Sequence, residues 1–231
     1  MAYPIRASIT PKAAAKMIIS GELDLDAQWG VEDAAMVLDE IVALQVEECL
    51  HIVDSHMHCK IADVKYIPQF GKIERLKEVP LCFVEMGVSS VDYPQLGFFL
   101  KKDIMAKLDA NTKFGENYGK GAAMLGLVNC KNNRIVPSCL TQAYCALPCD
   151  KQKELIKKLY FRIPIIQILL SASKYGETNG FAPMMLLKES TRKRRGQSVR
   201  GILGVLKECG SSELNERINN IIWETSEVEY E

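Results

Sequence analysis

Long apolar runs are missing from this 231-residue chain. Its longest, such as Ile165 to Leu170, fall far short of the roughly 20 residues that cross a bilayer. The N-terminal MAYPIRASITPK lacks the apolar core of an export signal, so a cytoplasmic protein with no membrane partner is expected. There is no Gly-rich phosphate loop, no GxSxG elbow and no coherent His–Cys nucleophile pair, which removes the usual signatures of nucleotide and acyl-transfer chemistry. Cys-x-x-Cys pairs are missing too, although Cys130, Cys139, Cys145 and Cys149 fall within 20 residues. Scattered reduced thiols are therefore expected, not a zinc site or a disulfide framework. Cys49, Cys82, Cys130 and Cys209 sit in apolar company, where a thiol packs as a small hydrophobe.

Histidine is scarce, and all three fall in HIVDSHMHCK as His51, His56 and His58, near Asp54, Cys59 and Asp63. Imidazole, thiolate and carboxylate are all suitable metal ligands. A nuclease also needs carboxylates to hold a divalent ion, commonly with a lysine that organises the attacking water. The nearest approaches are DVK, with Asp63 and Lys65, and the strand-like FVEMG, with Glu85 but no lysine two positions on. A polar segment without metal or cofactor is the expectation. It favours a binding protein over an enzyme and leaves a small metal-dependent nuclease as the alternative.

Net charge is zero, but the charges are segregated. Residues 1–90 carry 8 basic and 14 acidic side chains, residues 91–150 carry 7 and 5, residues 151–210 carry 13 and 4, and the tail from Ser211 carries 1 and 6. A polyanionic partner belongs on the middle and late parts of the chain. The pattern divides into an acidic, mostly helical region (1–90), a central unit (91–148), a basic helical extension (149–210) and an acidic tail (211–231), with the SSVDYP turn near residue 90 marking the first boundary.

Hydrophobic periodicity predicts mainly α structure. Thr10–Pro11 caps a first helix that Gly21 ends. A second runs from about Val31 to Cys49 on a stripe including Ala34, Val37, Leu38, Ile41 and Leu44. A short strand is expected over Lys60 to Ile67, before the Pro68–Gly71 turn. Further helices are expected over Pro94–Leu108, Thr112–Leu127, Thr141–Leu147 and Asp150–Arg162, from Pro164 to about Tyr175, and from Thr191 onwards, with a loop at Thr178–Asn179–Gly180.

The central unit carries the functional argument. Ala110–Asn111–Thr112 predicts a short link between two helices, with Thr112 capping the second. On that second helix Phe114, Tyr118, Gly121 and Leu125 share one face, while Lys113, Asn117, Lys120 and Met124 share another. Gly115, Gly119 and Gly121 each weaken a helix by roughly 1 kcal/mol relative to alanine, which points to close backbone approach. Two apolar pieces flank Lys131–Asn132–Asn133–Arg134 and predict a β-hairpin with a basic tip. The fold class is thus mainly α with a small β-hairpin wing: a winged helix-turn-helix core plus additional helices. Ser190 and Thr191 then cap a helix whose start holds Arg192, Lys193, Arg194 and Arg195. Four cations there oppose the helix dipole unless phosphates or acidic groups meet them.

Four pieces in order, NYGKGAAMLGLV (Asn117–Val128), LTQAYCALP (Leu140–Pro148), RIPIIQILL (Arg162–Leu170) and STRKRRGQSVRGIL (Ser190–Leu203), resemble the winged-helix DNA-recognition regions of prokaryotic restriction-type defence proteins. The resemblance covers residues 92–205. It implies that Lys120 lies on a recognition helix and that Arg194 and Arg195 fill a paired-arginine position. Such units are attached to, or partnered with, a nuclease. The family pattern has glycine in an LTxxG turn where this chain has Tyr144. The expected activity is binding of double-stranded DNA, in a restriction or transcription-regulating setting, by a homodimer or with a nuclease partner. Lys113, Asn117, Lys120, Lys131, Arg134 and the cluster Arg192, Lys193, Arg194 and Arg195 are the candidate contacts. A winged-helix adaptor that binds only protein is the other alternative, since architecture alone does not fix function.

Overall fold

A computed structural model describes residues 9–23, 29–56, 67–70, 72–101 and 108–224, with the side chains of 108–110 excluded. The chain folds as a mainly helical protein with a small three-stranded sheet and a separate two-stranded pairing. Among the described residues no helix is long and apolar enough to cross a membrane.

Helix α1 (Pro11–Ser20) starts as its sequence dictates. Thr10 Oγ1 accepts from Ala13 N at 3.2 Å, and Gly21 ends the helix at φ 84°. Its last carbonyls are satisfied from elsewhere: Arg162 donates to Ile18 O at 3.0 Å, and Gln167 to Ile19 O at 3.0 Å. The single long helix expected next is two, α2 (Val31–Ala43) and α3 (Val46–Ser55). Leu44 turns extended at ψ 132°, and the Glu48 carboxylate accepts from Gln45 N at 3.0 Å to start the new helix. Apolar spacing continues through the break, so periodicity alone conceals it. The strand expected over Lys60–Ile67 lies outside the described residues except for Ile67, which is buried in a non-helical segment.

Helices α4 (Ile73–Glu78) and α5 (Leu81–Met86) follow. The strand-like reading of FVEMG is corrected: Cys82 and Phe83 are buried while Val84, Glu85 and Met86 are exposed, a helical pattern closed by Gly87 at φ 64°. Strand β1 (Val91–Asp92) leads into α6 (Tyr93–Lys101), and α7 spans Leu108–Met124. The link predicted at Ala110–Asn111–Thr112 is therefore helix, and Thr112 lies within α7 and not at the cap position expected for it. Asn111 is fully buried with its carbonyl seated against α6, so packing overrides its turn preference. That seat exists because Gly97 has no side chain; a Cβ there would lie 2.0 Å from Asn111 O.

Strands β2 (Val128–Lys131) and β3 (Arg134–Pro137) form the predicted hairpin. Asn132 and Asn133 sit at φ 50° and 59°, the left-handed pair that a two-residue type I′ turn requires. Strand β1 pairs antiparallel with β3, giving the order β1–β3–β2. Ser138 Oγ donates to Gly126 O (2.7 Å) and Thr141 Oγ1 to Leu127 O (2.6 Å), locking the hairpin base to the start of α8 (Thr141–Ala146). Tyr144, the departure from the LTxxG pattern, is fully buried on α8 and donates to Lys77 O at 3.1 Å, tying α8 to α4.

Helix α9 (Cys149–Leu159) is amphipathic and buries Leu155, Ile156 and Leu159, α10 (Pro164–Ala172) is apolar and buries Ile165, Ile166, Leu169 and Leu170, and each is followed by a 3-10 turn. Helix α11 (Glu189–Lys207) begins two residues before the expected Thr191, so Ser190 and Thr191 are its first turn and not its cap. Helix α12 (Ser212–Asn219) precedes β5 (Ile221–Ile222), which pairs in parallel with β4 (Thr178–Asn179) where a loop was expected. One apolar cluster runs from Ala14 to Ile221 through the α1, α2, α3, α9 and α10 packing and into the sheet.

Candidate nucleic-acid interface

The glycines of α7 position its exposed face. A Cβ on Gly115 would lie 2.0 Å from Tyr93 O, so α6 and α7 cross with their backbones nearly touching. Gly119 admits Ile135 of β3, and Gly121 admits the ring of Phe70. Tyr118 is buried, and its hydroxyl oxygen accepts from Lys72 N at 3.1 Å, on the segment that follows Phe70. With three sides of α7 packed, Lys113 and Lys120 are left on the solvent side at 60% and 54% exposure, with half-buried Asn117 between them. Lys101 on α6 lies 4.8 Å from the Phe114 ring centroid, adding a cation at the rim of the same helix pair.

The hairpin adjoins this face. Cys130 Sγ on β2 reaches Gly119 O at 3.9 Å, and the Lys120 charge bears on the Cys130 thiol. Lys131 and Arg134 lie directly opposite in the β2–β3 register, a like-charge cross-strand pair that disfavours the hairpin when no anion is near. Arg134 is held in place: Nε donates to Ser90 Oγ at 3.1 Å and Nη2 to Ser90 O at 3.4 Å.

The late basic cluster is divided by its own helix. Around α11, Arg192 points to Met185 Sδ at 3.4 Å, Lys193 pairs with Glu189 at 2.5 Å, and Arg194 is exposed. Arg195 turns inward, half-buried, and donates to Ile67 O. Its Nε is buried without a partner. Burial and then the neighbouring Arg194 charge disfavour its cation, while the Glu116 carboxylate favours it. Arg195 thus fastens the start of α11 to the loop that carries Phe70, and Glu116 lies within electrostatic reach.

Glu116 is the acidic residue among these cations. Its two oxygens take Lys113 Nζ at 2.7 Å and Lys120 Nζ at 2.6 Å. These two hydrogen bonds hold its carboxyl below the usual carboxylate range. The i,i+3 and i,i+4 spacing of Lys113–Glu116–Lys120 is the sequence signal that marks it. Ser90 had no such signal, because its role depends on the β1–β3 pairing.

The metal-ligating candidates do not gather among the described residues: no three His, Cys, Asp or Glu side chains form a metal-holding group there. Asp54 is taken up by Arg217 (2.8 and 2.9 Å) and Lys174 (2.7 Å). His51 is exposed on α3, and His56 Nδ1 lies 3.0 Å from Ile52 O with Nε2 3.6 Å from Glu22. His58, Cys59, Asp63 and Lys65 lie outside the described residues. Of the clustered cysteines, Cys145 faces Pro80 O at 3.5 Å and burial pushes its thiol up to about 11, while Cys149 accepts from Lys77 at 3.1 Å. No protein-family model matches the sequence, and no curated protein or solved structure shows significant similarity to it.

Proposed function

We propose that this chain is a DNA-binding protein, or the DNA-recognition subunit of a larger assembly, that reads duplex DNA through a winged helix-turn-helix spanning residues 91–148. The observation that carries the reading is one of connectivity and charge together. Helices α6 and α7 are inserted between β1 and β2 of a β1–β3–β2 sheet, and the exposed lysines of α7 adjoin a hairpin whose end pairs Lys131 with Arg134. A helix is the element that fits the major groove, and a basic hairpin beside it suits the sugar-phosphate backbone. In this proposal Asn117 and Lys120 meet base edges, where asparagine pairs with adenine and lysine with guanine acceptors. Lys113, Lys131 and Arg134 meet phosphates, as do Arg192, Lys193 and Arg194 on α11, while Arg195 holds that helix in place.

The resemblance to restriction-type defence proteins suggests a prokaryotic defence or regulatory setting, with a homodimer reading a palindrome or a nuclease partner supplying cleavage. Fluorescence anisotropy on mixed duplexes at several salt concentrations tests the core of this reading. Binding is expected to weaken steeply with salt as phosphate contacts displace counterions. Lys120→Ala is expected to weaken a preferred site by about 1–3 kcal/mol and random DNA little. Folded protein that binds no duplex at low salt defeats the proposal, and partner binding without DNA affinity would favour the adaptor.

A further inference from the structure

The centre of the proposed DNA face holds a carboxylate. Glu116 lies one helical turn from Lys113 and one from Lys120, and each of its oxygens takes one ammonium group, at 2.7 and 2.6 Å. Its side chain is 23% exposed against 60% and 54% for the lysines, so it sits beneath the cations it holds. Its charge also acts on Arg195, which connects it to the start of α11. A phosphate approaching this face therefore meets two lysines already paired and a negative charge between them. Half-exposed ion pairs exchange readily, so the pairing is open to competition.

We infer that Glu116 is a specificity-determining residue that suppresses binding to arbitrary duplex DNA by holding Lys113 and Lys120 against phosphate contact. The inference rests on the DNA-binding reading given above. Random sequence offers α7 only phosphates, and each phosphate has to win a lysine from Glu116. A preferred site also offers base-edge acceptors and apolar contacts, which compensate for releasing the lysines. Like-charge repulsion between carboxylate and phosphate sets the penalty, and discrimination by an unfavourable contact is a general route to specificity. The rival account gives Glu116 no part in recognition. There it supplies only the ordinary i,i+3 and i,i+4 support of a helix weakened by Gly115, Gly119 and Gly121.

Anisotropy with a random-sequence duplex, at salt concentrations from about 50 to about 200 mM, separates the two. Four proteins are compared: wild type, Glu116→Gln, Lys113→Gln/Lys120→Gln, and the triple variant, each with a melting curve. Glu116→Gln keeps the side-chain size and is expected to bind random duplex roughly five-fold tighter at low salt, with a slope steeper by about 0.9 for each lysine that gains a phosphate. In the Lys113→Gln/Lys120→Gln background the same change is expected to leave the salt slope unchanged, because no lysine remains to be released and only the carboxylate's own repulsion is relieved. If wild type binds but Glu116→Gln binds no more tightly, the inference fails and the DNA-binding reading stands. A lowered melting temperature without an affinity gain assigns Glu116 to helix support and likewise overturns the inference. If no folded variant binds any duplex at low salt, both fall together.

Discussion

The crossing of α6 and α7 is the most exacting contact in the sheet-forming unit, and Gly115→Ala tests it. The added methyl would lie 2.0 Å from Tyr93 O and 2.7 Å from Gly97 N. Both obstacles are backbone atoms, so no rotamer change relieves the clash, and the helices must separate by more than about 1 Å to regain ordinary contact. Overpacking costs about 1–3 kcal/mol, and rigid obstacles put this site at the upper end. Alanine's better helix propensity offsets about 1 kcal/mol of it. The net expectation is a loss of about 2 kcal/mol, or about 4–8 °C in Tm for a chain of this size. Gly204→Ala on α11 is the matched control, since among the described residues no atom lies within 4 Å of the place its methyl would take. That change is expected to raise Tm by about 2–4 °C through helix propensity alone. Urea unfolding and thermal melts of the two variants provide the measurement. Because the crossing sets how α7 presents Lys113 and Lys120, the proposed DNA-binding function leads to the expectation that Gly115→Ala also weakens duplex binding while Gly204→Ala does not. A Gly115→Ala protein as stable as wild type would refute the close crossing.

Arg194 and Arg195 are expected to part company when changed singly. Arg195→Ala lowers Tm because it removes the tie to Ile67 O, whereas Arg194→Ala leaves Tm unchanged and makes the salt dependence of DNA binding shallower by about 0.9. Equal effects of the two on the salt slope, with unchanged melting, would overturn that division. The Asp54–Arg217 pair makes a pH prediction: burial raises the Asp54 pKa, but the hydrogen bonds from Arg217 and Lys174 outweigh it and the net shift is downward. A lowered folded pKa stabilises the protein above the unfolded value near 3.9, and that stability is lost as pH falls through the folded value. Asp54→Asn is therefore expected to lose about 2 kcal/mol at pH 7, since Arg217, only 4% exposed, loses its charge-assisted bonds to Asp54 and keeps those to Glu213 and Leu170 O, and to lose less further stability than wild type on acidification below about pH 4. Urea midpoints from pH 7 to pH 3 check both parts, and parallel pH profiles would count against the pair.

Local chemistry was legible wherever one residue type suffices. Thr10, Pro11 and Gly21 bound α1 as expected, and the Asn132–Asn133 turn closes the hairpin, because a side-chain cap and a left-handed turn are decided within a few residues. The misreadings share another cause. Asn111 and Thr112 favour caps and turns in isolation, yet Asn111 is buried in α7 against Gly97, a residue on a different helix. The break between α2 and α3 falls in a continuous apolar stripe, and its signal is the Gln45–Glu48 pair, which hydrophobic periodicity does not register. The strand β1 is two residues long and exists only through its pairing with β3, so no periodicity could reveal it.

The candidate site divides along the same line. Lys113, Lys120, Lys131 and Arg134 could be named from sequence because a cation on a polar helix face or a hairpin end is visible one residue at a time. What each cation is free to do was not, since that depends on its neighbours in space. Arg134 is steadied by Ser90, Lys193 is engaged by Glu189, Arg195 is turned inward, and Lys113 with Lys120 is held by Glu116. Counting positive charges thus overstates the cations available to a polyanion on α11 and on α7, and understates the part played by the acidic side chains among them. A surface that pairs its own lysines while opposing Lys131 to Arg134 at the hairpin end gives its strongest uncompensated field to the hairpin and to Arg194. On the proposed DNA-binding function, those positions, more than α7, are expected to govern the salt dependence of binding, and α7 the choice of sequence.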